Sequence, residues 1–372
     1  MKVLTVVGAR PQFVKAAPVS RALREAGHRE VLVHTGQHYD YGMSRIFFDE
    51  MGLAEPDVNL GVGSGTHGQQ TARMLEGLEE VMLAERPERV LVYGDTNSTL
   101  AGALAAVKLG LGLAHIEAGL RSFNREMPEE VNRVLADHCS DLLFCPTETA
   151  VRNLAREGIR SGVHLAGDTM LDATLQFAEV ARLRSHILEE LSLRPKAFLL
   201  ATLHRPYNTD DPEKMRELFR ALADAGETVV FPVHPRTRAR LEEFGVTRGA
   251  QSGTQSGAQS GADAGTLRMI DPVGYLDMLA LEQNARLILT DSGGVQKEAY
   301  FFGVPCVTLR PETEWVETVE AGWNVVAGAN REQILDAVRG RAWPEGPPPS
   351  LFGDGQAAQR IVARLAEPPS GR

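Results

Sequence analysis

With 372 residues, 43% hydrophobic and 24% charged, the chain is long enough for two domains, because a single core stops growing near about 250–300 residues. A net charge of −10 with no basic block and no aromatic-interleaved basic stripe argues against nucleic-acid binding, although local arginines and lysines leave a small anionic substrate open. No apolar run approaches about 18 residues, so nothing reads as a membrane span, and the opening "MKVLTVVGARP" is too short an apolar run for a signal-peptide core. Cys139, Cys145 and Cys306 have neither zinc nor redox spacing, and they read as buried thiols in a reducing cytoplasm.

Short apolar, β-branched runs alternate with longer helical patterns. "VLTVV" precedes a helix from about Pro11 to Ala26. "EVLVHT" follows, then a long helix in "THGQQTARMLEGLEEVMLAE". "RVLVYGD", "GLAHIEAG", "DLLFCPT" and "VHLAGD" come next, each trailed by a helix. Fully apolar strands in a βαβ rhythm predict a parallel sheet covered on both faces. The rhythm breaks between Asp168 and Pro195, then resumes with "AFLLATLH", "TVVFPVH", "TLRMIDP", "RLILTDSGG" and "PCVTL". The expected fold class is therefore α/β, with two Rossmann-like doubly wound domains and a cleft between them, where ligands bind at strand carboxyl ends. The boundaries read as 1–168 and 169–345, the second domain binding the nucleotide. Residues 249–265, "GAQSGTQSGAQSGADAG", form a degenerate repeat with no face to bury, expected to be a flexible insertion. A last amphipathic helix, within 350–367, is expected to fold back on the N-terminal domain.

The chemistry-bearing residues sit where the apolar runs end. "GARPQFVK" offers a glycine turn, Arg10, a helix-starting Pro11 and Lys15, two cations near a helix N-terminus. It lacks the GxGxxG of a dinucleotide-binding dehydrogenase. "YGDTNST" places Asp95 before good capping residues, so capping alone would account for it. "HIEAG" ends on Glu117, a poor cap. In "MPEEVNR", Glu129 and Arg133 stand four apart on one helix face, the spacing of a surface ion pair. His204 and His234 occupy corresponding strand ends in "ATLHR" and "FPVHPR". "LTDSGGVQKEA" reads as a strand, a turn through Ser292, Gly293 and Gly294, and a helix start, which lets backbone N–H groups approach an anion. Glu298, a turn further on, suits ribose hydroxyls. Cations and a glycine-rich helix start suggest a diphosphate, and Asp95, Glu117 and Glu129 suggest proton transfer. No metal-ligand spacing and no paired-aspartate motif appears, so neither a metal nor another cofactor is expected.

"GARPQFVK", "GDTNST", "HIEAGLRS", "MPEEVNR", "PTETA", "HRPYNTDD", "PVHPR", "LTDSGGVQKEA" and "TEWVE" occur in this order over nearly the whole chain. In this the chain resembles the non-hydrolysing UDP-N-acetylglucosamine 2-epimerases, which share a GT-B-like two-domain fold with a large class of glycosyltransferases. The resemblance implies an isomerase that interconverts UDP-GlcNAc and UDP-ManNAc for cell-surface polysaccharide synthesis. The C2 proton of an N-acetylhexosamine is not acidic, because no carbonyl adjoins that carbon. The family therefore eliminates UDP across C1–C2 to a glycal and adds it back with the proton delivered to the other face. By resemblance Asp95, Glu117 and Glu129 are the acid/base carboxylates, with His204 beside them. Arg10, Lys15, Arg133, His204 and Arg310 hold the diphosphate or sugar, and His234 also binds substrate. Ser292, Gly293, Gly294 and Glu298 form the nucleotide turn and ribose contact, and "DPVGYLDM" receives the uracil. A UDP-sugar and a second copy in a homodimer are the implied partners, with no nucleic acid and no membrane.

The chain departs from the family's commonest motifs at Ala9, Gln12 and Tyr207, and in "TEWVE" from Thr313 to Glu317. Gln12, "HIEAGLRSFN" and "TEWVE" look more like the branch acting on UDP-2,3-diacetamido-2,3-dideoxyglucuronate, which is the alternative substrate. In "GQHYDYG" Tyr39 stands where substrate-activated members carry an arginine. A glycosyltransferase of the same architecture, a non-catalytic UDP-sugar sensor and a hydrolysing epimerase are the other readings. The three carboxylates argue against the first two, and product analysis separates the last.

Overall fold

The computed structural model describes residues 1–36, 53–246, 251–252 and 267–367. The chain divides into two compact units, Met1–Gln176 with Ser350–Arg372, and Phe177–Pro349.

The first unit is built on seven parallel strands: β1 (Lys2–Val7), β2 (Arg29–His34), β3 (Val58–Asn59), β4 (Arg89–Tyr93), β5 (Gly112–Ile116), β6 (Leu142–Cys145) and β7 (Val163–Leu165). Their order in the sheet is β3-β2-β1-β4-β5-β6-β7. The winding direction reverses between β1 and β4, and their carboxyl ends splay open at such a switch point. Val90, Leu91, Val92 and Tyr93 of β4 are all fully buried, as expected of a strand covered on both faces. The helix Asn97–Lys108 covers it with alanines and Gly102. A Cβ on Gly102 would stand 2.9 Å from the Val92 side chain, so bare backbone lets the helix lie close to the sheet. That close approach sets its first turn, capped by Thr96, beside the switch point.

The C-terminal helix Ala357–Leu365 packs against the helix Arg10–Glu25 and buries Ile361, Val362 and Leu365. Its own N-cap, Gln356, supplies no side-chain bond. Instead the Asp172 carboxylate accepts from the N–H groups of Ala357 (3.1 Å) and Ala358 (2.7 Å), a cap borrowed from a distant helix. The Asp168 N–H also donates to the Phe352 carbonyl at 2.9 Å. These bonds tie the start of the helix Thr169–Arg184 into the first unit. The unit therefore runs to Gln176, past the residue 168 expected from the sequence rhythm.

The second unit repeats the plan with β8 (Leu199–Thr202), β9 (Val229–Pro232), β10 (Gln251–Ser252), β11 (Leu267–Ile270), β12 (Leu287–Thr290), β13 (Cys306–Thr308) and β14 (Asn324–Val326). The order is β10-β11-β9-β8-β12-β13-β14, all pairs parallel, and the switch falls between β8 and β12. Leu199, Ala201, Phe231, Leu287 and Leu289 enter one hydrophobic cluster, and Phe198, Leu200, Val230 and Ile288 enter another. Alternate residues thus feed the two faces of one sheet. Gln251 and Ser252 pair with Arg268 and Met269 at the sheet edge, so this part of the 249–265 insertion is an edge strand. The rest of the insertion, like Tyr39, lies outside the described residues. β3, β10 and β14, two or three residues each, are too short to carry a legible pattern. Among the described residues no helix is long and apolar enough to cross a membrane, and the three cysteines are unpaired.

Candidate active site

In the first unit the turns after β1, β4 and β5 carry the expected residues. Arg10 opens the helix Arg10–Glu25, and its side chain lies outside the described residues. Gln12 is buried and ties the turn after β1 to the end of β4. Its side-chain oxygen accepts from the N–H groups of Gly8 (2.8 Å) and Ala9 (3.0 Å), and its amide donates to the Tyr93 carbonyl (2.8 Å) and the Thr99 hydroxyl (3.1 Å). One turn along, Lys15 forms a buried ion pair with Glu117. Glu117 follows β5 in the left-handed region, φ 70°, which is unfavourable for a residue with a side chain. Its N–H and that of Ala118 both donate to the Phe144 carbonyl at 3.1 Å, and these bonds hold the turn.

Asp95 ends the turn after β4. Arg133 grips its carboxylate through Nε at 3.1 Å and through Nη2, while Asn132 donates to its carbonyl at 3.0 Å. Gly94, φ 61°, lies between the two acids. A Cβ there would stand 3.4 Å from both the Glu117 Oε1 and the Lys15 Nζ. The geometry thus brings Lys15, Asp95, Glu117 and Arg133 together at the switch point of the first sheet. Two carboxylates, each beside a fixed cation, can exchange protons with a bound ligand.

Glu129 is half-buried in the first turn of the helix Pro128–Cys139. Its neighbour Glu130 is the anchored one, only 2% exposed. Glu130 accepts from Arg133 Nη1 (2.6 Å), from the Ser122 N–H (2.9 Å) and hydroxyl (3.0 Å), and from the Phe123 N–H (2.9 Å). Arg133 therefore has Asp95 and Glu130 among its partners. Helical periodicity alone does not single out Glu130, because three of its four donors come from the loop at Ser122 and Phe123.

In the second unit His204 follows β8, and Ser292, Gly293 and Gly294 follow β12, adjacent strands at that sheet's switch point. Asp291 binds the two turns together. Its fully buried carboxylate accepts from the N–H groups of His204 (3.1 Å) and Arg205 (3.0 Å) and from the Asn208 amide (3.1 Å). It also stands 3.4 Å from the His204 Nδ1. Sequence reasoning passed over Asp291 as a turn residue; its position between an apolar strand and a capping serine was the available signal. Ser292 caps the helix Gly293–Phe301 by accepting from the Val295 N–H at 3.4 Å. The backbone N–H groups of Gly293 and Gly294 lie in its first turn, a geometry that favours an anion.

Glu298 is buried and accepts from the Tyr275 hydroxyl at 3.1 Å, which joins the expected ribose contact to the "DPVGYLDM" segment. Arg310 is buried and forms a two-bond pair with Glu314, 2.8 and 3.1 Å. The same loop lays Trp315 against the glycine turn, its Nε1 3.3 Å from a Cβ built on Gly293. Lys297 sits over the Trp315 ring, 4.1 Å from its centre. His234 is exposed and caps the helix Pro235–Glu243, its Nδ1 accepting from the Arg236 N–H at 3.2 Å. Among the described residues no group of three or more His, Cys, Asp or Glu side chains could hold a metal ion.

The family model described as UDP-N-acetylglucosamine 2-epimerase matches residues 21–366. A UDP-N-acetylglucosamine 2-epimerase homolog of Methanococcus maripaludis is 50% identical over 98% of this chain and 99% of its own. The UDP-2,3-diacetamido-2,3-dideoxy-D-glucuronate 2-epimerase of Pseudomonas aeruginosa is 49% identical over 99% of this chain and 100% of its own. The crystal structure of the Methanocaldococcus jannaschii UDP-GlcNAc 2-epimerase, in complex with UDP-GlcNAc and UDP, superposes with a TM-score of 0.87 at 44% identity, covering 98% of this chain and 99% of that one. The chain belongs to the UDP-N-acetylglucosamine 2-epimerase family.

Proposed function

We propose that the protein interconverts UDP-GlcNAc and UDP-ManNAc by eliminating and re-adding UDP, without net hydrolysis. The observation that carries this reading is the pair of acids Asp95 and Glu117, each fixed beside a cation at adjacent strand ends, in a chain that matches the family over residues 21–366. In the first half-reaction a base takes the C2 proton while the C1–O bond breaks. UDP leaves with the bonding pair, and a C1–C2 double bond remains. In the second half-reaction UDP adds back at C1, and an acid delivers a proton to the opposite face of C2. Asp95, Glu117 and Glu129 are the groups that handle the proton, each such transfer contributing about 10²–10⁴-fold.

Lys15, Arg133 and His204, with Arg10 and Arg310, neutralise the diphosphate as it gathers charge. The helix start at Ser292, Gly293 and Gly294 takes a phosphate, Glu298 the ribose hydroxyls, and His234 assists in binding. Three free cysteines suit a cytoplasmic enzyme, and family membership supports a homodimer that supplies an N-acetylmannosamine donor to polysaccharide synthesis. Sedimentation of the purified chain checks the dimer.

The test is incubation with UDP-GlcNAc in D₂O, followed by NMR at C2. Deuterium entering C2 with UDP-ManNAc appearing and no free sugar is the expected result; release of free sugar and UDP would assign a hydrolysing enzyme. The 49% identity to the diacetamido-glucuronate enzyme favours one second reading, that substrate in place of UDP-GlcNAc. Exchange with that sugar nucleotide alone would establish it.

A further inference from the structure

Beneath the two acids lies a buried charged cluster that the proton chemistry does not use. His115 on β5 is 0% exposed. Its Nδ1 lies 2.7 Å from the Asp137 Oδ1, and its Nε2 lies 2.7 Å from the Gly94 carbonyl oxygen. A carbonyl oxygen can only accept, so Nε2 carries a proton. Asp137 also acts as an acceptor, since its carboxylate takes the Arg121 Nη1 at 2.7 Å and the Gly119 N–H at 3.1 Å. Burial by itself would raise the Asp137 pKa, but the charges and hydrogen bonds of His115 and Arg121 more than offset it and hold the group ionised.

Arg121 reaches on to Glu157 through Nε (2.6 Å) and Nη2 (2.7 Å). Of the other titratable groups around the cluster, Cys145 on β6 stays a neutral thiol, its pKa raised by burial and by Asp137. His138, half-exposed, stands 3.3 Å from Glu157 at the rim.

The cluster reaches both acids through the backbone. His115 holds the Gly94 carbonyl, and Asp95 is the next residue. Asp137 holds the Gly119 N–H, two residues beyond Glu117, and Arg121 holds the Leu120 carbonyl at 2.6 Å. A Cβ at Gly119 would lie 2.4 Å from the Ala150 carbonyl oxygen, so this turn is also fixed from below. We propose that His115 is a positioning residue that, with Asp137, locks the turns behind Asp95 and Glu117 at one fixed spacing. This rests on the functional reading above, in which those acids move the C2 proton; a shift of about 1 Å in such groups can cost about 10²-fold in rate.

Two measurements test it. In the full chain labelled with ¹⁵N-histidine, NMR should show the His115 Nε2 carrying a proton, as its bond to the Gly94 carbonyl requires. Loss of the signal in His115→Gln assigns it. A bare Nε2 would overturn the bond to the Gly94 carbonyl on which the role rests. That result does not depend on activity, so it is distinct from a failure of the wild-type chain to exchange deuterium into any UDP-sugar, which would overturn the functional reading and the positioning role together. In folded His115→Gln, kcat for C2 exchange should fall by about 10²-fold while KM and UDP affinity stay within about threefold. If that variant does not fold, Asp137→Asn should give the same split. An unchanged kcat, or a loss confined to KM, would refute the positioning role.

Discussion

The two glutamates of "MPEEVNR" offer the most discriminating experiment, because they are adjacent in sequence and occupy different environments. Glu130→Gln keeps the side-chain shape but turns one acceptor oxygen into a donor. In the less damaging orientation the amide nitrogen replaces Oε1 and confronts the Phe123 N–H, now bonded at 2.9 Å. One charge-assisted bond is lost, worth about 1.5–3 kcal/mol. The pair with Arg133, whose side chains are 4% and 3% exposed, loses its charge as well. Breaking a buried pair from one side costs about 3–5 kcal/mol, which covers both losses. The opposite orientation gives up the bonds to Ser122 and Arg133 together and is worse. For a unit of this size each kcal/mol shifts Tm by about 2–4 °C, so thermal unfolding followed by circular dichroism should show a fall of about 6–20 °C. Glu129→Gln, half-buried at the helix start, should cost no more than about 1 kcal/mol while C2 exchange drops by about 10²-fold or more. A Glu130→Gln protein as stable as wild type, or a Glu129→Gln protein that is the less stable of the two, would refute this division of labour.

Asp95→Asn and Glu117→Gln should each lower C2 exchange by about 10²–10⁴-fold with little change in UDP affinity by calorimetry; lost affinity at unchanged turnover would make them binding groups instead. Asp172→Ala removes the cap from the C-terminal helix and should cost about 1 kcal/mol of stability in urea titrations, with no effect if the cap contributes nothing. The Arg121 hydrogen bonds hold the Glu157 carboxyl below its ordinary range, so its contribution is present above the unfolded-state pKa and is lost as pH falls through the folded one. Urea midpoints measured on acidification should therefore decline less steeply in Glu157→Gln than in wild type, and equal slopes would contradict the linkage. Burial raises the pKa of all three thiols, but Cys145 and Cys306 are buried whereas Cys139 is half-buried. A thiol reagent should therefore modify Cys139 first, and Cys139→Ser should abolish the early phase.

Much of the molecule is legible in the sequence because its signals are local. Runs such as "VLV" in β4 and "LIL" in β12 are apolar at every position, since a parallel sheet is covered on both faces. The residues that break those runs, Asp95, Glu117, His204 and Ser292, stand just past the strand ends, and the order of nine motifs specifies the family. What the sequence leaves open are relations between segments distant along the chain. Asp172 and Ala357 are 185 residues apart and share a helix cap. Asp291 joins the turns after β8 and β12 across 87 residues. The short edge strands β3, β10 and β14 exist because neighbours offer them hydrogen bonds, not because their own pattern demands a strand. The choice between Glu129 and Glu130, and the burial of His115 between Asp137 and Gly94, follow from which donors and acceptors the folded chain brings within reach. Periodicity sets the face a residue occupies, and tertiary packing alone decides what waits for it there.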